Sequence, residues 1–315
     1  MNQIAILLAT YNGIKYLPEM VESLESQTYS EFVCYFHDDG STDGTSDWIR
    51  EWTDRHPEKY RILEGPRQGA AKNNFLWMLS QVDAPYYMFA DQDDVWLPEK
   101  IAKTMEKMKE LEKSRGTDQP LCVFTDMYVV DDKLRILDSS FIRYIERSPE
   151  RIKLSQLLVD NPSAGCTQLF NRPLRQLAGQ LRDVQAIEMH DIWVLALAAA
   201  CGEGHVSVVD EPLSYYRQHE KNEMGAVAES GMQKLFRNLR ELCNGQVRKK
   251  KKEFVQRARD LAGQLAAVDG ISDSNRQFLS EFSRIGEQNK FRRIHFYKQH
   301  DISRLHRTVW MYLWI

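Results

Sequence analysis

Apolar runs that fit strands alternate with amphipathic stretches that fit helices throughout the first 130 residues. Residues 4–10 form a continuous apolar run, as expected for a strand buried on both faces of a sheet. Further strands are predicted at residues 32–36, 61–63 and 86–90, with helices at 16–27, around Trp48 and Trp52, and at 70–82. This alternation predicts an α/β fold with a mostly parallel central sheet flanked by helices.

Polar side chains follow three of these predicted strands at the point where each strand ends. They are Thr10, Tyr11 and Asn12 after the first strand, Asp38 and Asp39 after the second, and Asp91, Gln92 and Asp93 after the fourth. In an open α/β sheet the carboxyl ends of the strands share one edge, and ligands bind there. We therefore predict that these segments converge on one functional crevice, the alternative being ordinary polar loops.

The residue types in this crevice favour a metal ion and a phosphate-bearing ligand. Carboxylates at Asp91 and Asp93 suit Mg²⁺ or Mn²⁺, although acidic pairs are also common in turns and helix caps. Neither GxGxxG after the first strand nor GxxxxGK[ST] anywhere occurs, so a phosphate would be neutralised by the metal together with Lys72 and backbone amides. Asp38 and Asp39 can accept hydrogen bonds from a nucleobase or a ribose.

The regular alternation of predicted strands and helices ends after residue 120. The sequence predicts strands at 121–130, 167–170, 206–209 and 213–216, a loop over 161–171 and an apolar helix at 190–201. After about residue 225 the chain is rich in Lys, Arg and Gln and is predicted to be helical. We therefore divide the chain into a catalytic domain, residues 1–225, and a basic helical C-terminal region, residues 226–315.

The net charge of −3 hides an uneven distribution along the chain. Residues 231–315 hold 18 Lys and Arg against 8 Asp and Glu, whereas residues 1–230 hold 24 against 37. The acidic portion suits metals or sugars, and the basic portion suits an anionic surface. A nucleic-acid partner is not expected, because no such motif occurs and the acidic portion would repel a polyanion. The basic run at 248–252 is either a solvated helix face or part of the region that would bind that anionic surface.

The lack of a targeting signal and the scattered positions of the cysteines favour a cytoplasmic protein. No run approaches the roughly 18 apolar residues of a membrane-spanning helix, the N-terminus lacks a signal-peptide pattern, and the five cysteines are scattered as expected of reduced thiols. Residues 309–315 are apolar and aromatic, behind Arg304 and Arg307. They fit peripheral contact with the cytoplasmic face of a membrane, or packing against the catalytic domain or in a homodimer interface.

Three segments taken together resemble family 2 glycosyltransferases of the GT-A fold: ATYNG at 9–13, DDGSTDGT at 38–45 and DQDDVW at 91–96. The resemblance implies a nucleotide-sugar half over about residues 1–120 and an acceptor half over about 121–225. The residues that we assign to the donor site are Thr10, Tyr11, Asn12, Asp38, Asp39, Lys72, Asn73, Asp91 and His219. Asp39 matches the family's base-contacting carboxylate, and Asp93 with Asp91 matches its ligands for Mg²⁺ or Mn²⁺.

Three later segments resemble bacterial rhamnosyltransferases of this family: NPSAGCT at 161–167, HDIW at 190–193 and YRQHEKN at 216–222. They imply dTDP-β-L-rhamnose as donor and a lipid-linked glycan as acceptor. Asp191 matches the family's general base, whereas its position alone fits a helix N-cap or first-turn acid equally well. His219 is either a diphosphate or metal ligand or a structural histidine. Cys166, Gln168 and Ile192 depart from the family's pattern and bear on acceptor preference.

The sequence therefore predicts a metal-dependent inverting glycosyltransferase, with rhamnosyl transfer in cell-surface polysaccharide synthesis as the specific form. The alternative is a catalytically weak relative that serves as a binding or scaffold subunit of a polysaccharide assembly complex. The presence of Asp93 and Asp191 favours the enzyme.

Overall fold

The computed structural model describes residues 3–218 and 245–305, with the side chains of 245–248 excepted. Strands and helices alternate through the first 115 residues, as predicted. The elements are β1 (Ile4–Thr10), α1 (Leu17–Glu25), β2 (Phe32–Asp38), α2 (Thr45–Arg55), β3 (Tyr60–Ile62), α3 (Ala71–Gln81), β4 (Tyr86–Asp91), β5 (Val95–Trp96) and α4 (Lys100–Arg115). Strands β2 and β4 run further than predicted, so each includes the first acidic residue of the motif that follows.

Shorter helices and a second group of strands follow. They are β6 (Cys122–Val130), β7 (Ile136–Asp138), α5 (Phe141–Tyr144), α6 (Leu154–Leu157), β8 (Gln168–Asn171), α7 (Arg172–Ala178), α8 (His190–Cys201), β9 (Val206–Arg217), α9 (Gly245–Ala266), α10 (Asp273–Arg284) and α11 (Lys290–Gln299). The two predicted closing strands are one strand, β9. Its register against β6 shifts where Asp126 meets Pro212, because proline has no N–H for the ladder, and this gives the sequence the pattern of two strands.

The strands form one sheet with the order β3-β2-β1-β4-β8-β6-β9-β5, and β7 pairs with β6. The pairs among β3, β2, β1 and β4 are parallel, which confirms the prediction for this half. The other half is mixed, because the short strand β8 runs antiparallel to both β4 and β6, and β5 runs antiparallel to β9. The predicted α/β architecture is confirmed, with the sheet's parallel character confined mainly to its first half.

Helices cover both faces of the sheet. Alternate residues of β1 separate the two cores: Ile4, Ile6 and Leu8 pack with α1, α2 and α4, whereas Ala5 and Leu7 face α3 and α8. Helices α9, α10 and α11 bury apolar side chains in that second core, together with α8. The basic C-terminal helices therefore share a core with the sheet. The predicted domain boundary near residue 225 lies outside the described residues.

The predictions for His219 and for residues 309–315 concern residues that lie outside the described ranges. Within those ranges, Cys34, Cys122 and Cys166 are buried, Cys201 is partly buried, and all four are free thiols. In residues 3–218 and 245–305, every helix is too short or too polar to cross a bilayer.

Candidate active site

The three predicted loops meet at one edge of the sheet, where β1, β2 and β4 end. Thr10 is in register with Asp38 of β2, and Ala9 is in register with Asp91 of β4. The N–H of Asp39 donates to the carbonyl of Thr10 at 2.8 Å and continues the pairing past the end of β2. The structure thus brings the three segments side by side.

Asp38 organises the loop that follows β2. Its carboxylate accepts hydrogen bonds from the Thr10 hydroxyl at 2.9 Å, from the N–H and hydroxyl of Ser41 at 2.9 and 2.5 Å, and from the Ser46 hydroxyl at 2.5 Å. Burial alone would raise the pKa of Asp38, but these donors favour the ionised form and hold its pKa below the ordinary value. Asp38 therefore shapes the predicted nucleotide site as an acceptor whose ionised form is favoured.

Hydrogen bonds join the loop after β1 to the loop after β2. The Asn12 N–H donates to Ser41 Oγ at 2.7 Å, and the Asn12 side-chain oxygen accepts the N–H of Thr42 at 2.8 Å. The Gly13 N–H donates to Thr45 Oγ1 at 3.0 Å. Asn12 has φ 48°, a left-handed conformation that Asn adopts more readily than most residues. This geometry makes Asn12 the connection between the two loops.

Gln92, between the two carboxylates predicted to bind metal, joins the loop after β4 to the loop after β1. Its Oε1 accepts the N–H of Tyr11 and its Nε2 donates to the carbonyl of Tyr11, both at 3.0 Å. The contact requires glycine at position 13, where a Cβ would lie 2.0 Å from Gln92 Oε1. Sequence reasoning assigned Gln92 no role, because only the flanking carboxylates carried recognisable chemistry.

Tyr11 presents an exposed ring at this edge, with 47% of its surface accessible. The Arg67 guanidinium lies 5.3 Å from the ring centre, and its Nη2 donates to the Tyr11 hydroxyl at 3.4 Å. An exposed ring beside a guanidinium offers a planar surface on which a nucleobase can stack. Arg67 is absent from the predicted site, since nothing in its sequence neighbourhood marks it.

Asp39 and Asn73 both hold the segment between β3 and α3. Asp39 is 6% exposed, and its two carboxylate oxygens accept the N–H groups of Gln68 and Gly69, the latter at 2.8 Å. Asn73 Nδ2 donates to the Gln68 carbonyl at 3.2 Å, while its Oδ1 is buried without a hydrogen-bond partner. A buried acceptor of this kind is satisfied when a ligand donates to it.

Lys72 lies at the boundary between the donor loops and the approach to α8. Its ammonium donates to the carbonyls of Val184 and Ile187, each at 2.8 Å. Burial, together with the nearby charge of Arg257, lowers the pKa of Lys72. Since an ammonium has three donors, one remains for the predicted phosphate contact.

Asp91, the last residue of β4, forms what we call the acid cluster together with Asp93 and Asp94 of the following loop. Ligand atoms of Asp91, Asp94 and the Cys166 thiol all lie within 4.8 Å of one another. Asp94 is 2% exposed and its Oδ2 has no hydrogen-bond partner. Burial, and then the charges of Asp91 and Asp93, raise the pKa of Asp94 well above its ordinary value. Such a site is costly unless a proton or a cation neutralises it.

The acid cluster fits a divalent cation, because carboxylate oxygens are the ligands that Mg²⁺ and Mn²⁺ prefer. Among the described residues, the structure groups Asp94 and the Cys166 thiol with Asp91 of the predicted pair, whereas Asp93 is not a member of that group. Burial, with the charges of the neighbouring carboxylates, raises the pKa of the Cys166 thiol well above its ordinary value. Cys166 is therefore a protonated neighbour in the absence of a metal, and a hard cation would bind to the oxygens.

Arg217, the last residue of β9, fixes the acid cluster's loop from the opposite side. It is 3% exposed, its Nε donates to the Asp93 carbonyl at 3.1 Å, and its Nη1 donates to the Asp132 carbonyl at 2.7 Å. Its Nη2 pairs with Glu19 of α1. The sequence marked this position only as a member of the segment 216–222, and the structure shows that it holds the backbone of Asp93.

Asp191 lies in the first turn of α8 and is 9% exposed. It is not the N-cap, which is Met189. One of its carboxylate oxygens accepts the N–H of Ile192 at 2.7 Å. Burial raises the pKa of Asp191 to about 6, and nearby backbone N–H groups, including that of Gly165, oppose the rise. A carboxylate of this strength is suited to take up a proton near neutral pH.

The turn Gly165–Thr167 connects Asp191 with the acid cluster. Gly165 packs against the start of α8, where a Cβ would lie 2.7 Å from His190 Nε2 and 3.5 Å from the Asp191 Cβ. The next residue, Cys166, contacts the acid cluster. Strand β8 leaves the turn antiparallel to β4, which places the turn at the end of β4. Asp191, the predicted base, and Asp91, one of the predicted metal ligands, therefore lie against adjacent residues of one turn.

Two further buried side chains surround Asp191. His190 is 3% exposed, its ring lies 4.3 Å from that of Phe75 and 4.5 Å from that of Phe89, and burial lowers its pKa to about 3. Gln168, which is fully buried, donates to the backbone carbonyl of Asp191 at 3.0 Å. A neutral histidine and an amide hold the first turn of α8 without supplying the charge that would lower the pKa of Asp191.

The sequence of this region matches a known family. The stretch of residues 5–151 matches the sequence profile of Glycosyl transferase family 2. It contains all three donor-side loops and the acid cluster, whereas Asp191 lies beyond the match.

Several relatives and solved structures are similar to this chain. The chain is 25% identical over 229 residues to an uncharacterized glycosyltransferase of Nostoc sp., covering 70% of this chain and 66% of the relative. It is 24% identical over 229 residues to the dTDP-rhamnosyl transferase RfbG of Shigella flexneri, covering 70% and 74%. The crystal structure of S. aureus TarS 1-349 superposes with TM-score 0.55 at 16% identity, covering 89% of this chain and 70% of TarS.

A second solved structure supports the same fold. The mannosyltransferase PcManGT from Pyrobaculum calidifontis, in complex with GDP-Man and Mn²⁺, superposes with TM-score 0.52 at 14% identity, covering 94% of this chain and 73% of that one. These similarities confirm the predicted GT-A fold.

Proposed function

We propose that this protein is an inverting glycosyltransferase that moves a sugar from a nucleotide-sugar donor to a hydroxyl group of an acceptor. The observation that carries the proposal is the position of Asp191, a buried carboxylate with its pKa raised to about 6, across the turn Gly165–Thr167 from the acid cluster. The match of residues 5–151 to the family 2 profile, together with the GT-A fold, supports it.

In the proposed reaction Asp191 accepts the proton of the acceptor hydroxyl while that oxygen attacks the anomeric carbon. The new C–O bond forms on the face opposite the diphosphate, whose bond to the sugar breaks, so the configuration inverts. The raised pKa makes Asp191 a stronger base than an ordinary carboxylate, yet it remains mainly ionised above about pH 6. Gln168 and the Gly165 backbone act as positioning groups, since they hold the first turn of α8.

On the donor side, we propose that the Tyr11 ring and Asp39 bind the base, and that Asn73 Oδ1 and Lys72 bind polar groups of the donor. Asp91 and Asp93 would hold Mg²⁺ or Mn²⁺. Such a cation supplies positive charge that stabilises the departing diphosphate. Thr10, Asn12 and Asp38 keep these loops in place through the hydrogen bonds that join β1 to β2.

We further propose that the sugar is L-rhamnose from dTDP-β-L-rhamnose and that the acceptor is a lipid-linked glycan of a cell-surface polysaccharide. The segments at 161–167, 190–193 and 216–222 support this form, together with the similarity to RfbG. A teichoic acid poly(glycerol phosphate) polymerase of Staphylococcus epidermidis, 26% identical over 139 residues that cover 43% of this chain and 19% of that protein, supports a cell-wall polymer. A cytoplasmic location fits this assignment.

The test measures free nucleotide released from a panel of dTDP-, UDP- and GDP-sugars by the full-length protein, without acceptor, in Mn²⁺, Mg²⁺ or EDTA. We expect dTDP-rhamnose to be hydrolysed fastest and EDTA to abolish release. Asp93→Ala should weaken metal-dependent donor binding at least about tenfold, because the diphosphate loses its cation bridge. Asp47→Ala, which removes an 87% exposed carboxylate on α2, is the matched control and should behave as wild type.

Equal turnover in EDTA and in Mn²⁺ would refute the role of the metal. Donor binding without hydrolysis or transfer for any sugar would instead favour the binding or scaffold subunit. That alternative is not favoured, because Asp93 and Asp191 are both present and the surroundings of Asp191 raise its pKa into the range of a working base.

A further inference from the structure

Helix α9 carries an exposed basic run. Residues 249–259 include six Lys and Arg and one acidic residue, Glu253. The Lys249 side chain is 80% exposed and lies 4.0 Å from Glu253, and Lys250 and Lys252 are exposed as well. Like charges one turn apart weaken a helix. The run therefore costs stability in the free protein, and an anionic partner would offset that cost.

Arginines extend the positive charge beyond α9. The Arg304 guanidinium lies 4.8 Å from the ring centre of Phe254, one turn beyond the lysines, and its Nε is 3.4 Å from Asp160. Arg147 and Arg151 approach the same carboxylate at 2.8 and 3.5 Å. Three guanidinium groups therefore converge on the Asp160 carboxylate.

The basic face, by which we mean residues 249–252 with Arg257 and Arg304, flanks the acceptor side of the crevice. Arg257 pairs with Glu188 at 3.4 Å, and Glu188 is three residues before Asp191. Residues 245–305 hold 14 Lys and Arg against 7 Asp and Glu, whereas residues 1–230 are acidic. The positive potential is therefore concentrated on the C-terminal helices.

The chain also leaves the described structure at this face. The N–H of Leu305 donates to Asp160 at 2.9 Å, beside Arg304. The ten residues that follow, 306–315, include two tryptophans, a tyrosine and several aliphatic residues. Aromatic side chains of this type partition to the boundary between lipid and water, and clustered lysines bind anionic headgroups.

We propose that the basic face docks on the anionic phospholipid headgroups of a membrane. Docking itself does not depend on glycosyl transfer. Its value for catalysis rests on the proposed function: the first turn of α8, which carries Asp191, would then face the surface from which a lipid-linked acceptor extends.

The experiment measures co-sedimentation of the full chain with vesicles of phosphatidylcholine, alone or mixed with phosphatidylglycerol, at low and high salt. Wild type should bind the mixed vesicles and be released by salt. The quadruple variant K249Q/K250Q/K251Q/K252Q should lose at least about tenfold in affinity. The matched control R50Q/R55Q/K107Q/K113Q removes the same charge from α2 and α4, which pack on the opposite face of the sheet, and should bind as wild type.

Wild type that stays in the supernatant at low salt, or a lysine variant that binds as tightly as wild type, would overturn the proposal. The proposal would also be overturned if the protein bound free inorganic pyrophosphate more tightly than the vesicles and the same lysine substitutions weakened that binding. The basic face would then bind a soluble phosphate. Donor hydrolysis is measured on the same samples without vesicles. It should be equal in wild type and the lysine variant, so its absence from both would contradict the proposed function and leave the vesicle result standing.

Discussion

The two sides of the crevice place the same residue, aspartate, in opposite electrostatic settings. On the donor side, Asp38 receives hydrogen bonds from hydroxyl and N–H groups, and its pKa lies below the ordinary value. On the acceptor side, Asp191 lies at the start of a nearly all-apolar helix, and burial raises its pKa to about 6. The comparison shows two uses of a carboxylate. One that accepts many hydrogen bonds stays ionised and holds the loops in place, whereas one that accepts few has a raised pKa and is available for proton transfer.

The largest expected effect tests the acceptor side. Asp191→Asn should lower the rate of transfer by about 10²- to 10⁴-fold, because the amide cannot accept the hydroxyl proton. Donor binding, measured by calorimetry, should stay unchanged. Near-normal transfer in this variant, with donor binding retained, would remove Asp191 from the role of base.

The same variant tests the pKa directly. Because the folded pKa of Asp191 is raised, its ionisation opposes folding, and wild type should gain stability as pH falls through about 6. Asp191→Asn should lack that dependence and be more stable than wild type at pH 8, by about 3 kcal/mol at most. Thermal melts at pH 5 and pH 8 check this, with Asp47→Asn on the exposed face of α2 as control.

An intermediate effect tests the packing of the donor loops. Gly13→Ala would place a methyl group 2.0 Å from Gln92 Oε1 and force that amide off Tyr11. We expect a loss of about 2 kcal/mol in the free energy of unfolding, measured with urea. In a Gln92→Ala background the same change should cost much less. Full additivity of the two substitutions would show that the cost of Gly13→Ala does not arise from losing the bridge made by Gln92.

The smallest expected effect tests the donor side of the comparison. Asp38→Asn should cost about 1 kcal/mol of stability at pH 7, because an amide replaces one of the two acceptor oxygens. The folded pKa of Asp38 is lowered, so its contribution is present above the unfolded pKa and disappears as pH falls through the folded value. Urea unfolding at pH 7 and at pH values well below the ordinary aspartate pKa should show the gap closing. A gap that persists at low pH would mean that shape, not charge, is what Asp38 supplies.

The donor side was largely predictable because its information is local. The apolar run of β1 and the acidic ends of β2 and β4 place their polar residues at one edge by strand geometry alone. The role of Gln92 was not predicted, because its amide can bond the backbone of Tyr11 only when β1 and β4 are neighbours in the sheet. The acceptor side depends on long-range contacts. Cys166 meets Asp94 because β8 returns to β4 across more than seventy residues.

The raised pKa of Asp191 was unpredictable for the same reason. The sequence marks Asp191 as a candidate base or a helix-start residue, and only tertiary burial separates the two. Its surroundings come from Phe75 and Phe89, on α3 and β4, which pack around the adjacent His190. Single-sequence patterns carry no information about such contacts between distant segments.

The turn Gly165–Thr167 constrains how this protein can be re-engineered. Gly165 contacts the start of α8 and Cys166 contacts the acid cluster, so a single substitution in the turn would disturb the proposed base and the proposed metal site together. A mutant library aimed at a new acceptor would therefore do better to keep residues 165–167 fixed. Ile192 would be the first position to randomise, since its N–H is bound to Asp191 while its side chain is only partly buried.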